Sequence, residues 1–148
     1  MHAVSTSSGA GSDHVKQISV VCDLSAAREG ARALTQFLGQ LNLNEETLFA
    51  CELSLTEAAT NAVVHAKGPQ RFKPVLMEAA VHESTIALRV TDHTDGFDHP
   101  GNVPPPDADV ASGRGLYLIQ SMMDEVRYER AAHGNTLAMI KRLPDAPR

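Results

Sequence analysis

The stretch ELSLTEAATNAVVHA, residues 52–66, decides how the rest of the chain is read. Leu53, Leu55, Ala58, Ala59, Ala62, Val63 and Val64 crowd it with apolar side chains, and no Gly or Pro interrupts it, so it reads as a packed helix. Glu57, Asn61 and His65 nevertheless follow one another at four-residue steps. Residues four apart on a helix share a face and lie about 6 Å apart along its axis. The three polar groups therefore make one stripe. A solvated stripe and a functional one are both open from this helix alone. Upstream, Asn44 is a natural N-cap with Glu45 and Glu46 in the first turn, where the dipole favours them; downstream, Lys67-Gly68-Pro69 breaks the pattern.

Working outward, residues 15–22 alternate and are β-branched, which predicts a strand. Asp23 or Ser25 then caps a helix carrying Ala27, Ala31, Leu34, Phe37, Leu38 and Leu41, with Gly39 weakening its last turn. After the 52–66 helix, PVLMEAAVH and TIALRVTD flank Glu83-Ser84 and predict a hairpin. Residues 93–112 hold four prolines and four aspartates, a long loop of the kind that carries function or lacks order. GRGLYLIQSMMDEV predicts a helix, and VRYERAA and NTLAMIKRL predict a second hairpin around His133-Gly134. Grouped helices with hairpin-linked strands give an α+β class: a two-layer sandwich, its sheet mostly antiparallel, with helices on one face. The domain is expected over 14–143, between a flexible Ser/Gly-rich tail, 1–13, and a short C-terminal tail, 144–148.

The totals exclude several functions. The 148 residues suit one domain. A net charge of −5 without a Lys/Arg cluster argues against nucleic acid as a direct partner. No apolar run is long enough for a bilayer, and no export leader is seen, so a cytoplasmic protein is expected. Cys22 and Cys51 have no CxxC company and read as core thiols.

The chemistry of three segments fits together. A carboxylate one helical turn from a carboxamide suits a hard cation beside a reacting hydroxyl, since Mg²⁺ takes oxygen ligands and a Glu can act as general base. In RVTDHTDGFD, Asp92 ends a strand just before a turn at Gly96, a placement suited to accepting a hydrogen bond from an exocyclic amine. In SGRGL, Gly113 and Gly115 open a helix whose free N–H groups favour phosphate. Each signal is weak alone; their order, with a Pro/Gly-rich loop between the last two, is specific.

That ordered set resembles the GHKL ATPase superfamily and, within it, the anti-sigma-factor serine/threonine-protein kinases of bacterial partner-switching systems. LTEAATNAVVHA resembles the N box, VTDHTDGFD and GRGLYLIQSMMDEV the two glycine boxes, and GNTLAMIK the closing Gly-x-Thr strand. The resemblance covers roughly residues 15–142 and implies a Bergerat-type ATP-binding fold with a long ATP lid. It implies ATP and Mg²⁺ as cofactors, Glu57 as base, and Asn61 as the Mg²⁺ ligand. It further implies Asp92 on the adenine amine, Gly96 shaping the base pocket, Gly113, Arg114, Gly115 and Leu116 on the nucleotide, and Thr136 on the adenine side. The implied partners are a small anti-sigma-factor antagonist as substrate, a sigma factor held stoichiometrically, and a second copy of the chain in a homodimer. His65 gains no defined role, a local bond at the helix end being one reading; His93 and His99 read as exposed loop histidines. One departure stands out: Thr94 occupies a position where the family usually has Gly, which costs conformational energy if that residue needs positive φ. Two alternatives remain beside the kinase: a non-catalytic ATP-sensing binding module, and the catalytic half of a histidine kinase acting in trans. Retention of Glu57 favours catalysis, and about 13 residues before the first strand are too few for a phosphoacceptor helix pair.

Overall fold

A computed structural model describes residues 3–8, 13–96 and 114–144. The chain runs β1 (Ala3–Ser8), β2 (His14–Val20), α1 (Leu24–Gly39), α2 (Glu45–Val64), a 3₁₀ turn (Gly68–Phe72), β3 (Val75–His82), β4 (Thr85–Asp92), α3 (Arg114–Met122), β5 (Glu125–Ala131) and β6 (Gly134–Arg142). The strands form one six-stranded sheet in the order β1-β2-β3-β4-β6-β5, with every neighbouring pair antiparallel. The expected α+β sandwich is present.

Alternation within the strands decides which sheet face is covered. Ile18 and Val20, Met77 and Ala79, Ile86, Leu88 and Val90, and Leu137 and Met139 are all buried, each separated from the next by an outward residue. α1 packs over β2 and β3, α2 over β3 and β4, and α3 against α2 and β5. α2 is thus enclosed on three sides, by α1, α3 and the sheet. This is why alanines and leucines surround so much of it: Ala50, Cys51, Ser54, Leu55, Ala58, Ala59 and Ala62 are buried. Its ends are closed as the sequence predicts. Asn44 Oδ1 accepts from the Thr47 N–H at 2.7 Å, and Asp23 does the same for the Ala26 N–H on α1 at 3.1 Å.

Three differences from expectation have physical causes. Residues 3–8, inside the stretch read as a tail, pair with β2 as an edge strand. A segment with few apolar residues can still add to a sheet through backbone hydrogen bonds, which composition does not register. α3 stops at Met122, because Glu125 and Val126 are already paired with Ile140 and Met139. Cys51 is buried as foreseen and burial pushes its thiol up to about 12, but Cys22 is only partly covered. Among the described residues no helix is long and apolar enough to cross a membrane.

Candidate nucleotide-binding site

Glu57 and Asn61 lie on the side of α2 that faces α3. The measure of their closeness is Gly115, the second residue of α3. A Cβ added there would sit 2.7 Å from Glu57 Oε2 and 3.2 Å from Asn61 Nδ2. Only a residue without a side chain lets the helix start approach the two polar groups this closely. The polar stripe is therefore not solvated on an outer face; its first two members point at the amino end of another helix. The third does something simpler. His65 caps α2, its ring Nδ1–H donating to the Asn61 carbonyl oxygen at 2.8 Å, with the ring exposed.

Next to this cluster, between α2 and the sheet, is a cavity of about 100 Å³. Its walls are largely apolar, with Ala58 and Ala62 from α2, Val90 and Leu137 from the sheet and Leu116 from α3, and Tyr128 and His65 also line it. Asn61 lies on its rim, and Asp92, Thr94 and Gly96 close one end. Largely apolar walls with a carboxylate among them suit a planar heteroaromatic ring bearing an amine.

The Asp92 end is tightly organised. Asp92 Oδ1 accepts from the Thr94 N–H at 3.0 Å, the Thr94 hydroxyl at 2.9 Å and Asn135 Nδ2 at 3.2 Å. Asn135 Nδ2 also donates to the Thr94 carbonyl at 2.8 Å, and the Gly96 N–H donates to Thr94 Oγ1 at 3.2 Å. Gly96 has φ +81°, and a Cβ there would meet Arg130 Nε at 2.7 Å and the Tyr128 hydroxyl at 3.0 Å, so both its dihedral and its surroundings require glycine. Arg130 Nη2 donates to the Asp95 carbonyl, and Gln70 from the 3₁₀ turn donates to Asp95 Oδ1, pinning the turn from two sides.

Two expectations are corrected here. Thr94 is not strained: among the described non-glycine residues only Asn42 and Glu83 have positive φ. Instead it forms an Asx turn with Asp92 and contributes a hydroxyl that glycine lacks. Thr136 does not reach the cavity. It is the partner of Thr91 in the β4–β6 register, one residue out of phase with Val90 and Asp92, so its side chain emerges on the open face of the sheet. There it shares a hydrogen bond of 2.9 Å with the Thr91 hydroxyl, beside a separate hollow of about 480 Å³ that Arg89 and Glu78 also line. The residue that reaches Asp92 from β6 is Asn135, which the sequence reading missed; its place opposite Asp92 in the strand pairing is what reveals it. His93 is half-buried rather than exposed, and among the described residues its Nδ1 has no partner. Gly113, the side chain of Arg114, His99 and the loop over 97–112 lie outside the described residues.

Comparison with known proteins agrees with this fold. Residues 20–141 match the model of the histidine kinase-like ATPase domain. The chain belongs to that family. It is 35% identical over 101 residues to the serine-protein kinase RsbW of Bacillus subtilis, an alignment covering 62% of each chain. It is 26% identical over 118 residues to an anti-sigma F factor of Clostridium perfringens, covering 75% of this chain and 84% of that one. The aligned stretch thus spans less than two thirds of the Bacillus relative. A crystal structure of the RsbU and RsbW domains of a Mycobacterium tuberculosis protein superposes with a TM-score of 0.69 at 19% identity, over 90% of this chain and 34% of that one. This likeness establishes the fold, and the family establishes an ATPase-type domain.

Proposed function

We propose that this chain is an ATP- and Mg²⁺-dependent protein-serine/threonine kinase of a partner-switching circuit. It phosphorylates a small anti-sigma-factor antagonist and, in another state, holds a sigma factor. The observation that carries the reading is the meeting of Glu57 and Asn61 with Gly115 beside a cavity closed by Asp92. The printed names of the Bacillus and Clostridium relatives support it. Adenine fits the apolar cavity with its amine toward Asp92, and the start of α3 lies where phosphates would follow. By the family resemblance Gly113 and Arg114 would meet the phosphates.

The donor set also fits magnesium. Among the described residues no three His, Cys, Asp or Glu side chains form a cage for a metal. Mg²⁺ in phosphoryl-transfer sites needs none, taking one or two protein oxygens and completing its shell with phosphate and water. Asn61 Oδ1 would hold it, and the bound ion would supply charge neutralisation at the transferring phosphate. Glu57 takes the proton of the attacking hydroxyl as its oxygen bonds to the terminal phosphorus and ADP departs. Leu116 lines the cavity and would pack against the nucleotide. A cytoplasmic homodimer is part of the same reading.

The test uses radiolabelled ATP with the full chain and the small protein that co-purifies with it. Acid-stable label on serine or threonine is expected from the wild type. Glu57→Ala should bind Mg-ATP and the sigma-factor partner but transfer about 10²–10⁴-fold more slowly. An acid-labile product would instead indicate histidine-kinase chemistry, and full transfer by Glu57→Ala would remove the base assignment.

A further inference from the structure

We infer that Thr94, together with Asn135, is the specificity-determining clamp of the nucleotide pocket. The two side chains hold one oxygen of Asp92 so that the other is left to meet the base, which selects a 6-aminopurine over a 6-oxopurine. This rests on the reading that Asp92 faces the base.

A hydroxyl has one proton and an amide nitrogen two, so the donors can be counted. The Thr94 hydroxyl proton goes to Asp92 Oδ1, and the Thr94 N–H goes to the same atom. One Asn135 amide proton goes to Asp92 Oδ1 and the other to the Thr94 carbonyl. The Gly96 N–H goes to Thr94 Oγ1. These five donors are spent within the cluster, and the Tyr128 hydroxyl beside Gly96 is a further polar group lining the cavity. Three of them converge on Oδ1, and among the described residues none reaches Asp92 Oδ2. The ring of bonds fixes the carboxylate and leaves Oδ2 to meet the ligand. An exocyclic amine finds an acceptor there, whereas an exocyclic carbonyl meets a carboxylate oxygen that cannot donate to it. Leaving such a pair unsatisfied in a closed site is where most hydrogen-bond discrimination comes from.

Thr94 is the member that links Asp92 to the Gly96 turn. Glycine at this position would remove one donor from Oδ1 and also release the Gly96 N–H, which could then meet a carbonyl oxygen. Asn135 is 6% exposed, so its amide is held in place by its surroundings as well as by its bonds. Thr94 and Asn135 are positioning residues: they act on the base through Asp92.

The experiment titrates the full chain calorimetrically with Mg-ATP and with Mg-inosine triphosphate, which differs at the 6-position by an oxygen in place of the amine. The readout is the ratio of the two affinities, which a general loosening of the fold would not shift selectively. Thr94→Val keeps the shape and removes the hydroxyl; it should lower the ratio about fivefold, less than a whole charge-assisted bond because two donors still hold Oδ1. Thr94→Ser should restore the wild-type ratio, and Thr94→Gly should lower it at least as far as valine. Should the valine variant fail to fold, the serine and glycine variants carry the comparison alone. A wild-type ratio in both Thr94→Val and Thr94→Gly would overturn the clamp. Asp92→Asn separates the two levels of the argument. If it collapses the ratio while the Thr94 variants do not, Asp92 reads the base and the clamp is wrong; if it too leaves the ratio unchanged, Asp92 does not face the base.

Discussion

Gly115→Ala tests the link between the α3 start and the proposed base most directly. The new methyl would lie 2.7 Å from Glu57 Oε2, and ordinary contact begins at 3.4 Å. The carboxylate must therefore retreat by about 0.7 Å, and displacements near 1 Å in a reacting constellation cost about 10²-fold in rate. That is a barrier increase of about 2.7 kcal/mol. The atom that moves is the free end of a flexible side chain, so folding should not suffer. Removing a helical glycine should instead add up to about 1 kcal/mol of stability. The assay is single-turnover phosphoryl transfer at saturating Mg-ATP, beside a thermal melt. Loss of transfer with an unchanged or raised melting temperature is expected. The double variant with Glu57→Ala should be no slower than Glu57→Ala alone, because both changes remove the same group from the same place. Wild-type transfer by Gly115→Ala would refute the placement of Glu57 at the reacting hydroxyl, and a further loss in the double variant would show that the methyl acts elsewhere.

Other expectations follow from single contacts. Asp92→Asn should lose about 1.5–3 kcal/mol of ATP and ADP binding by calorimetry, one charge-assisted bond, with the melt of the free protein little changed. Asn61→Ala should weaken Mg-ATP more than metal-free ATP; a defect that persists in EDTA would make Asn61 structural. Burial raises the Cys51 thiol to about 12 from an ordinary 9.0. The unfolded chain therefore loses this proton first, and stability should fall as pH rises between those two values. Native alkylation at pH 8 should accordingly modify Cys22, which is partly exposed, and reach Cys51 only after denaturation.

The two helices read most readily from the sequence were those with both a cap and a closed face. Asn44 and Asp23 mark where α2 and α1 begin, and both accept the predicted backbone bonds. The β3–β4 hairpin was equally legible, since VLMEAAVH and TIALRVTD alternate around a two-residue turn at Glu83, which takes the positive φ the turn demands. β1 was not, because its evidence is a neighbour rather than a pattern. Its residues pair with β2 through the backbone, and nothing in six Ser-, Thr- and Ala-rich positions states which strand lies beside them. The function of α2 was half legible. Four-residue spacing aligns Glu57, Asn61 and His65, but only the packing of α3 separates the two that meet Gly115 from the one that caps its own helix.

The Thr136 and Thr94 expectations share one source of error. Both took a residue's role from its place in a string, whereas in a sheet the role depends on parity. Asp92 is two residues from Val90 and shares its inward face; opposite it in the register stands Asn135, and opposite the outward Thr91 stands Thr136. A shift of one position along β6 thus moves a side chain from the cavity to the other side of the sheet. The same logic corrects Thr94. Beside a glycine, it is a residue under strain if the position needs positive φ; beside the groups around it, it bridges Asp92 and Gly96 with its hydroxyl. Two positions that looked like a match and a departure exchange places: the Thr of the closing strand is outside the site, and the Thr in the glycine position belongs to its hydrogen-bonded end.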